Sequence, residues 1–142
     1  MLTALVALLG VFVAAYLALY KLGVIGTLAC GTGGCEVVQT SRWATFLGLP
    51  VAAWGAVYYV TIFAIAFAGV QDRWAESRGL ASALLALTTW GLLFSGWLTY
   101  LELFRINAIC RYCIVSAVLA AVLFVLALMD WLALRNRGVR PA

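Results

Sequence analysis

Charged side chains are confined to short stretches of this chain, and long apolar windows separate them. No charged residue occurs in residues 1–20, 43–71, 79–101 or 112–129. Each window is long enough, or nearly so, to cross a hydrocarbon core about 30 Å thick. The pattern therefore predicts an all-α integral membrane protein, a bundle of four transmembrane helices.

The windows and the turn signals between them also predict where each helix lies. The predicted spans are residues 2–22, 50–69, 80–104 and 112–134. Residues 23–49 form a connection much longer than the one between the last two helices, and a long ordered loop in a compact domain is usually functional. We expect this long loop to cap the bundle, and we expect residues 1–142 to form a single domain.

Composition narrows the class of protein further. The chain is 67% hydrophobic and 10% charged, with a mean hydropathy of +1.11, whereas a soluble bundle would need charged helix faces. The net charge of +4 comes from basic residues at segment ends and gives no case for nucleic acid as a partner. The expected partners of such a surface are membrane lipids. The absence of histidine removes the commonest general base and the commonest metal ligand.

Within the third span, two glycines and one charged pair are the features with a predicted role. Gly91 and Gly96 are expected to be helix-packing positions, because small residues let membrane helices approach closely. Glu102 and Arg105 lie about one turn apart near the end of this span and are expected to pair.

The candidate chemistry lies in four cysteines. Cys110 and Cys113 form a Cys-x-x-Cys pair at the start of the fourth span, where helix N–H groups and the adjacent Arg111 are expected to lower a thiol pKa. Cys30 and Cys35 lie in the long loop and enclose three glycines, which favour a mobile excursion. Loops 1–2 and 3–4 of a four-helix chain emerge on the same side, so both pairs are expected at one membrane surface.

Basic residues at the segment ends indicate the orientation. The cysteine side carries Lys21, Arg42, Arg105 and Arg111, and the opposite side carries Arg73, Arg78, Arg135, Arg137 and Arg140. Basic residues concentrate on the cytoplasmic side. The count therefore predicts both termini in the cytoplasm and the cysteines facing the oxidising compartment, where disulfides persist.

Three functions are compatible with four cysteines at one surface. In a dithiol relay, the loop pair exchanges disulfides with soluble thiols and then with the helix pair, and electrons that reach the deeper Cys113 need a lipid-soluble acceptor such as a quinone. Alternatively, all four thiolates hold a structural zinc ion. The third alternative is two structural disulfides in a transporter or scaffold, although the spans lack ionisable groups away from their ends.

The motifs together resemble the vitamin K epoxide reductase family in its bacterial stand-alone form. Four spans, a loop cysteine pair and a Cys-x-x-Cys that opens the last helix match the family, and Ser41, Arg42 and Trp43 fill its Ser-Arg-Trp positions six to eight residues after Cys35. The DsbB-type oxidases share the function and helix count, but their Cys-x-x-Cys lies in the first outer loop.

The resemblance implies an electron path and a set of site residues. A separate, exported thioredoxin-fold protein of the DsbA type attacks the loop disulfide at Cys30, Cys35 attacks Cys110, and Cys113 reduces a membrane quinone, either menaquinone or ubiquinone. Ser41 and Arg42 are expected to lie near the quinone with Cys113, and no metal is needed.

The resemblance also implies a bacterial inner-membrane enzyme that supports disulfide-bond formation. Two departures from the animal enzymes, Ala117 in place of a tyrosine and the Pro50-Val51 segment in place of one with asparagine, favour plain quinone reduction over epoxide reduction.

Overall fold

Four long helices make up most of the molecule, as predicted. The computed structural model describes residues 1–24, 26, 37–38 and 40–139, except for the side chain of Val139. The helices are α1 (Leu2–Lys21), α2 (Val51–Val70), α3 (Arg78–Leu101) and α4 (Arg111–Val139). Each is long and apolar enough to cross a membrane, so the predicted fold class is confirmed.

The described part of the first connection contains a small hairpin that the sequence did not predict. A 3₁₀ turn, Arg42–Ala44, leads into β1 (Thr45–Phe46), which pairs antiparallel with β2 (Leu49–Pro50). Leu47 and Gly48 form the turn with φ of 52° and 80°, values that suit a two-residue hairpin turn. Strands of two residues are too short to carry an alternating hydrophobic pattern, which explains why the prediction missed them.

Helices α3 and α4 differ from their predicted ends. Ser77 caps α3 by accepting the Leu80 N–H at 3.4 Å, so the helix begins two residues earlier than predicted. At its other end, α3 passes into a π-helical turn, Glu102–Ile106. Helix α4 continues five residues beyond the predicted end at 134.

Two contacts near the end of α4 fit this extension. The Arg135 guanidinium lies 5.3 Å from the Trp131 ring centroid, and Arg137 forms a 3.7 Å ion pair with Glu76 of the α2–α3 turn.

The helices are arranged so that α1 packs against α2 and α4, while α3 packs mainly against α4. Tyr58 of α2 lies directly over Gly91 of α3, where an added Cβ would overlap its hydroxyl, so Gly91 is a packing position as predicted. A Cβ added at Gly96 would meet no neighbouring atom within 4 Å, so the predicted packing role of Gly96 is wrong.

Two buried clusters divide the interior. The central cluster comprises Ala7, Ala14, Tyr59, Ile62, Leu84, Leu123 and Ala127. The second cluster, at the end of the bundle where α1 ends and α4 begins, comprises Leu17, Ala18, Val38, Ala52 and Cys110. Val38 belongs to the long loop, so the described part of this loop covers the mouth of α4, as the capping prediction requires.

Candidate active site

Cys110 occupies the position just before α4. Its carbonyl accepts the Ile114 N–H at 3.0 Å, which is the first hydrogen bond of the helix. Its sulfur accepts hydrogen bonds from the backbone N–H groups of Tyr112 and Cys113, so the thiol acts as the helix N-cap. The side chain is completely buried, in the cluster with Leu17, Ala52 and Val38.

The electrostatic environment of Cys110 favours its thiolate. A hydrogen bond from the Cys113 thiol, together with the two helix N–H groups, lowers the pKa of Cys110 to about 7, against the opposing effects of burial and of Glu102. The predicted contribution of the helix start is therefore present. The predicted contribution of Arg111 is not, because its side chain is exposed and the lowering comes from Cys113 and the backbone.

Cys113 lies one helical turn deeper than Cys110 and is only partly buried. Both residues are present as thiols, and the Cys113 thiol lies within hydrogen-bonding reach of Cys110 and of the Glu102 carboxyl. Cys113 also lines a cavity between the helices, which Cys110 does not. The pair thus consists of Cys110, whose sulfur is buried away from the cavity, and Cys113, whose sulfur faces the cavity.

Glu102, in the π-helical turn after α3, contacts both cysteines. It is 5% exposed, and its Oε2 accepts the backbone N–H of Cys110 at 3.3 Å. The predicted pairing with Arg105 is wrong, since Arg105 is exposed and the only salt bridge among the described residues is that of Arg137 with Glu76. The carboxyl turns inward because the chain folds back between α3 and α4 and offers it the Cys110 N–H.

The cavity has a volume of about 430 Å³, within the size range of small-molecule sites. Its walls are mostly apolar and come from the long loop, from α2, from α3 and from the start of α4. The lining includes Trp43, Phe46, Trp54, Val57, Trp90 and Phe94. Val57 of α2 and Trp90 of α3 are 61% and 66% exposed, so the cavity reaches the outer, lipid-facing surface between these two helices.

Few polar groups face this cavity. The Tyr59 hydroxyl bonds to the Ser116 carbonyl and hydroxyl, each at 2.8 Å. The Tyr58 hydroxyl is buried, and it is the only buried side-chain polar atom without a hydrogen-bond partner in the part of the chain that the structure describes. It is therefore available to a molecule that enters the cavity.

Of the other predicted site residues, one lies at the cavity, one lies outside it, and two are not described by the structure. Ser41 lines the cavity, and its hydroxyl donates to the Val38 carbonyl at 2.7 Å, which fastens the loop turn. Arg42 is exposed, lies 4.9 Å from the Trp43 ring centroid and borders a separate, outer recess. Cys30 and Cys35 lie outside the described residues, so their predicted roles stay predictions.

A scan against protein-family models matches residues 1–128 of this chain to the vitamin K epoxide reductase family. The match covers all four spans up to the last part of α4. The chain belongs to the vitamin K epoxide reductase family. The resemblance that the cysteine spacing indicated is thereby confirmed, and the protein is a multi-pass membrane oxidoreductase of a family linked to quinone-related redox chemistry.

Within this member of the vitamin K epoxide reductase family, sequence reasoning missed two residues of the site. Glu102 was assigned to a surface ion pair, although an acid at the cysteine end of a span, in a chain with only five acidic residues, was a usable signal. Tyr58 was not among the predicted site residues, because no signal in the sequence distinguishes its hydroxyl from that of Tyr59.

The lowered pKa of Cys110 predicts the pH dependence of thiolate formation. In a Cys30→Ser/Cys35→Ser background, Cys110 and Cys113 are the remaining thiols, and the thiolate ultraviolet absorbance of the reduced protein should rise with a midpoint near pH 7. Below this pH the Cys110 thiol keeps its proton. Adding Cys113→Ala removes the main hydrogen bond to the thiolate and should raise the midpoint, whereas Ser116→Ala should not. A midpoint unmoved by Cys113→Ala would contradict the assigned cause.

Proposed function

We propose that this protein is a membrane thiol oxidase and quinone reductase that supports disulfide-bond formation. One observation carries the proposal. The Cys113 thiol faces an apolar cavity between the helices, while its partner Cys110 is fully buried and has a pKa of about 7. This arrangement suits a dithiol that hands electrons to an apolar acceptor. Membership of the vitamin K epoxide reductase family supports the same chemistry.

The acceptor is a membrane quinone, menaquinone or ubiquinone. A quinone is lipid-soluble, and the gap between α2 and α3 at Val57 and Trp90 gives it a route from the bilayer. Its flat ring suits a cavity with aromatic walls. Cys113 is the cysteine that meets it there, and Ala117, which also lines the cavity, leaves room beside the sulfur.

Three polar side chains have separate roles towards the quinone. The unpartnered Tyr58 hydroxyl donates a hydrogen bond to a quinone carbonyl. Ser41 holds the loop over the cavity through its bond to Val38. Arg42 acts from outside the cavity, where it stacks on Trp43 and fixes the loop at the membrane surface.

The loop cysteines deliver electrons to the helix pair. Val38 packs in the same cluster as Cys110, and Cys35 precedes Val38 by three residues, a chain length that spans at most about 10 Å. Cys35 is therefore the loop cysteine that attacks Cys110, and Cys30 exchanges with a separate thioredoxin-fold protein of the DsbA type. Since Cys110 is fully buried, the loop must shift for the attack to occur.

This relay requires a defined orientation in a bacterial inner membrane. Both termini lie in the cytoplasm, and the cysteines face the periplasm or exterior, where the thioredoxin-fold partner is found. The distribution of basic residues, five on the side of the α2–α3 turn and of the chain end and four on the cysteine side, supports this orientation.

The proposed activity and orientation can be tested together. Sealed right-side-out vesicles that contain the protein and a quinone should oxidise an added reduced DsbA-type protein, which cannot cross the membrane, while quinone absorbance reports quinol formation. Sealed inverted vesicles should be inactive, and Cys113→Ala should be inactive in both. Activity confined to inverted vesicles would reverse the orientation. Stoichiometric bound zinc without turnover would replace the relay with the structural zinc site.

The role of Tyr58 predicts a binding defect in Tyr58→Phe. Loss of one hydrogen bond costs about 0.5–1.5 kcal/mol, so the KM for quinone should rise roughly 2- to 10-fold while kcat changes little. Tyr100→Phe is the matched control, because Tyr100 is half exposed on α3 and does not line the cavity. An unchanged KM in Tyr58→Phe would show that this hydroxyl does not contact the quinone.

A further inference from the structure

The buried carboxyl of Glu102 is a feature that the electron path alone leaves unexplained. It is 5% exposed, lines the cavity, and has no cationic partner among the described residues. Burying a carboxyl group costs free energy unless hydrogen bonds compensate for the lost water. Its compensation comes from the two redox cysteines, through the Cys110 N–H and the Cys113 thiol.

The backbone around Glu102 is arranged to hold this carboxyl in place. The Asn107 and Ala108 N–H groups both donate to the Glu102 carbonyl, and Asn107 adopts a left-handed conformation with φ of 54°. The residue also begins the π-helical turn, a distortion that frequently occurs at functional sites. The carboxyl is thus fixed between α3 and the thiols.

Quinone reduction by a dithiol moves protons as well as electrons. Two S–H bonds break, one S–S bond forms between Cys110 and Cys113, and the quinone takes up two electrons and two protons to become the quinol. The chain has no histidine to carry these protons. The titratable groups that line the cavity are Tyr58 and Tyr59 of α2, Glu102 after α3 and Cys113 of α4, and Glu102 is the only carboxyl among the lining residues that the structure describes.

We propose that Glu102 is a catalytic residue that carries protons from the Cys110–Cys113 pair to the bound quinone. The inference rests on the proposed function. Glu102 takes the proton of Cys113 as this sulfur becomes a thiolate and passes it to a quinone oxygen. The second proton comes from the protonated form of Cys110, which is hydrogen-bonded to Cys113. It follows the same route once Glu102 has passed the first proton to the quinone. Both protons that leave the thiols are therefore accounted for in the quinol.

Glu102→Gln separates proton transfer from a purely structural role. Glutamine has nearly the same size, and its amide oxygen can still accept the Cys110 N–H, but its amide group does not titrate. For the full-length protein in lipid nanodiscs with a soluble quinone analogue and a dithiol, kcat should fall about 100-fold or more, the range of general acid–base catalysis. The KM for quinone should stay within about 2-fold, and Glu102→Asp should recover part of kcat.

Two further measurements complete this test. Glu76→Gln is the matched control, since Glu76 is exposed in the α2–α3 turn, and it should keep the wild-type kcat. Thermal unfolding should show that Glu102→Gln is folded, and its pH profile of kcat should lack one ionisation present in the wild type. Wild-type kcat in Glu102→Gln, or a loss that Glu102→Asp does not relieve and that accompanies unfolding, would overturn the proton-carrying role. An inactive wild type would instead overturn the proposed quinone reductase.

Discussion

The site depends on the hydrogen bond from the Cys110 N–H to Glu102, which joins the end of α3 to the start of α4. Only four residues, Asn107–Cys110, separate the π-helical turn after α3 from the start of α4. Within this link the chain reverses direction and buries the Cys110 sulfur. The Cys113 sulfur follows one turn deeper, in α4, at the cavity wall. A longer link, or one without the hydrogen bond from the Cys110 N–H to Glu102, would let the two cysteines move relative to the cavity. The geometry of the thiols is therefore set by the junction between the helices as well as by the cysteine spacing.

Burial and access are divided between the two cysteines. Cys110 has the lowered pKa but no exposed surface, and Val38 of the long loop packs in the same buried cluster. Cys113 faces the cavity, and its thiol is hydrogen-bonded to Cys110 and Glu102. This division suits a relay with two separate contacts, one with the loop pair and one with a lipid-soluble acceptor.

Much of this fold could be read from the sequence because the membrane imposes simple constraints. A window without charge must be long enough to span the bilayer, and the alternation of sides places loops 1–2 and 3–4 together. Both rules gave the correct result for the four helices and for the position of Val38 over Cys110. The Cys-x-x-Cys pair identified the start of α4 because capping and thiolate stabilisation both act at a helix N-terminus.

The parts that the sequence did not reveal depend on contacts between distant residues. Glu102 looked like a partner for Arg105 because the two lie one turn apart, and only the reversal after α3 shows that its carboxyl meets Cys110 instead. Gly91 and Gly96 have identical chemistry, and only the position of Tyr58 distinguishes them. The tiny hairpin after Ala44 is likewise set by its turn rather than by a repeating pattern.

The most direct test of the electron path is the disulfide that accumulates in Cys30→Ser. In the wild type, Cys30 can resolve a Cys35–Cys110 bond, whereas in the variant no such rescue exists. With quinone present as oxidant, non-reducing peptide mass spectrometry should show Cys35 joined to Cys110 and Cys113 as a thiol. Such a bond requires the two Cα atoms to approach within about 4.4–6.8 Å, so the loop must fold onto the start of α4. Cys35 found as a thiol, with Cys110 still joined to Cys113, would mean that the loop pair does not feed the helix pair.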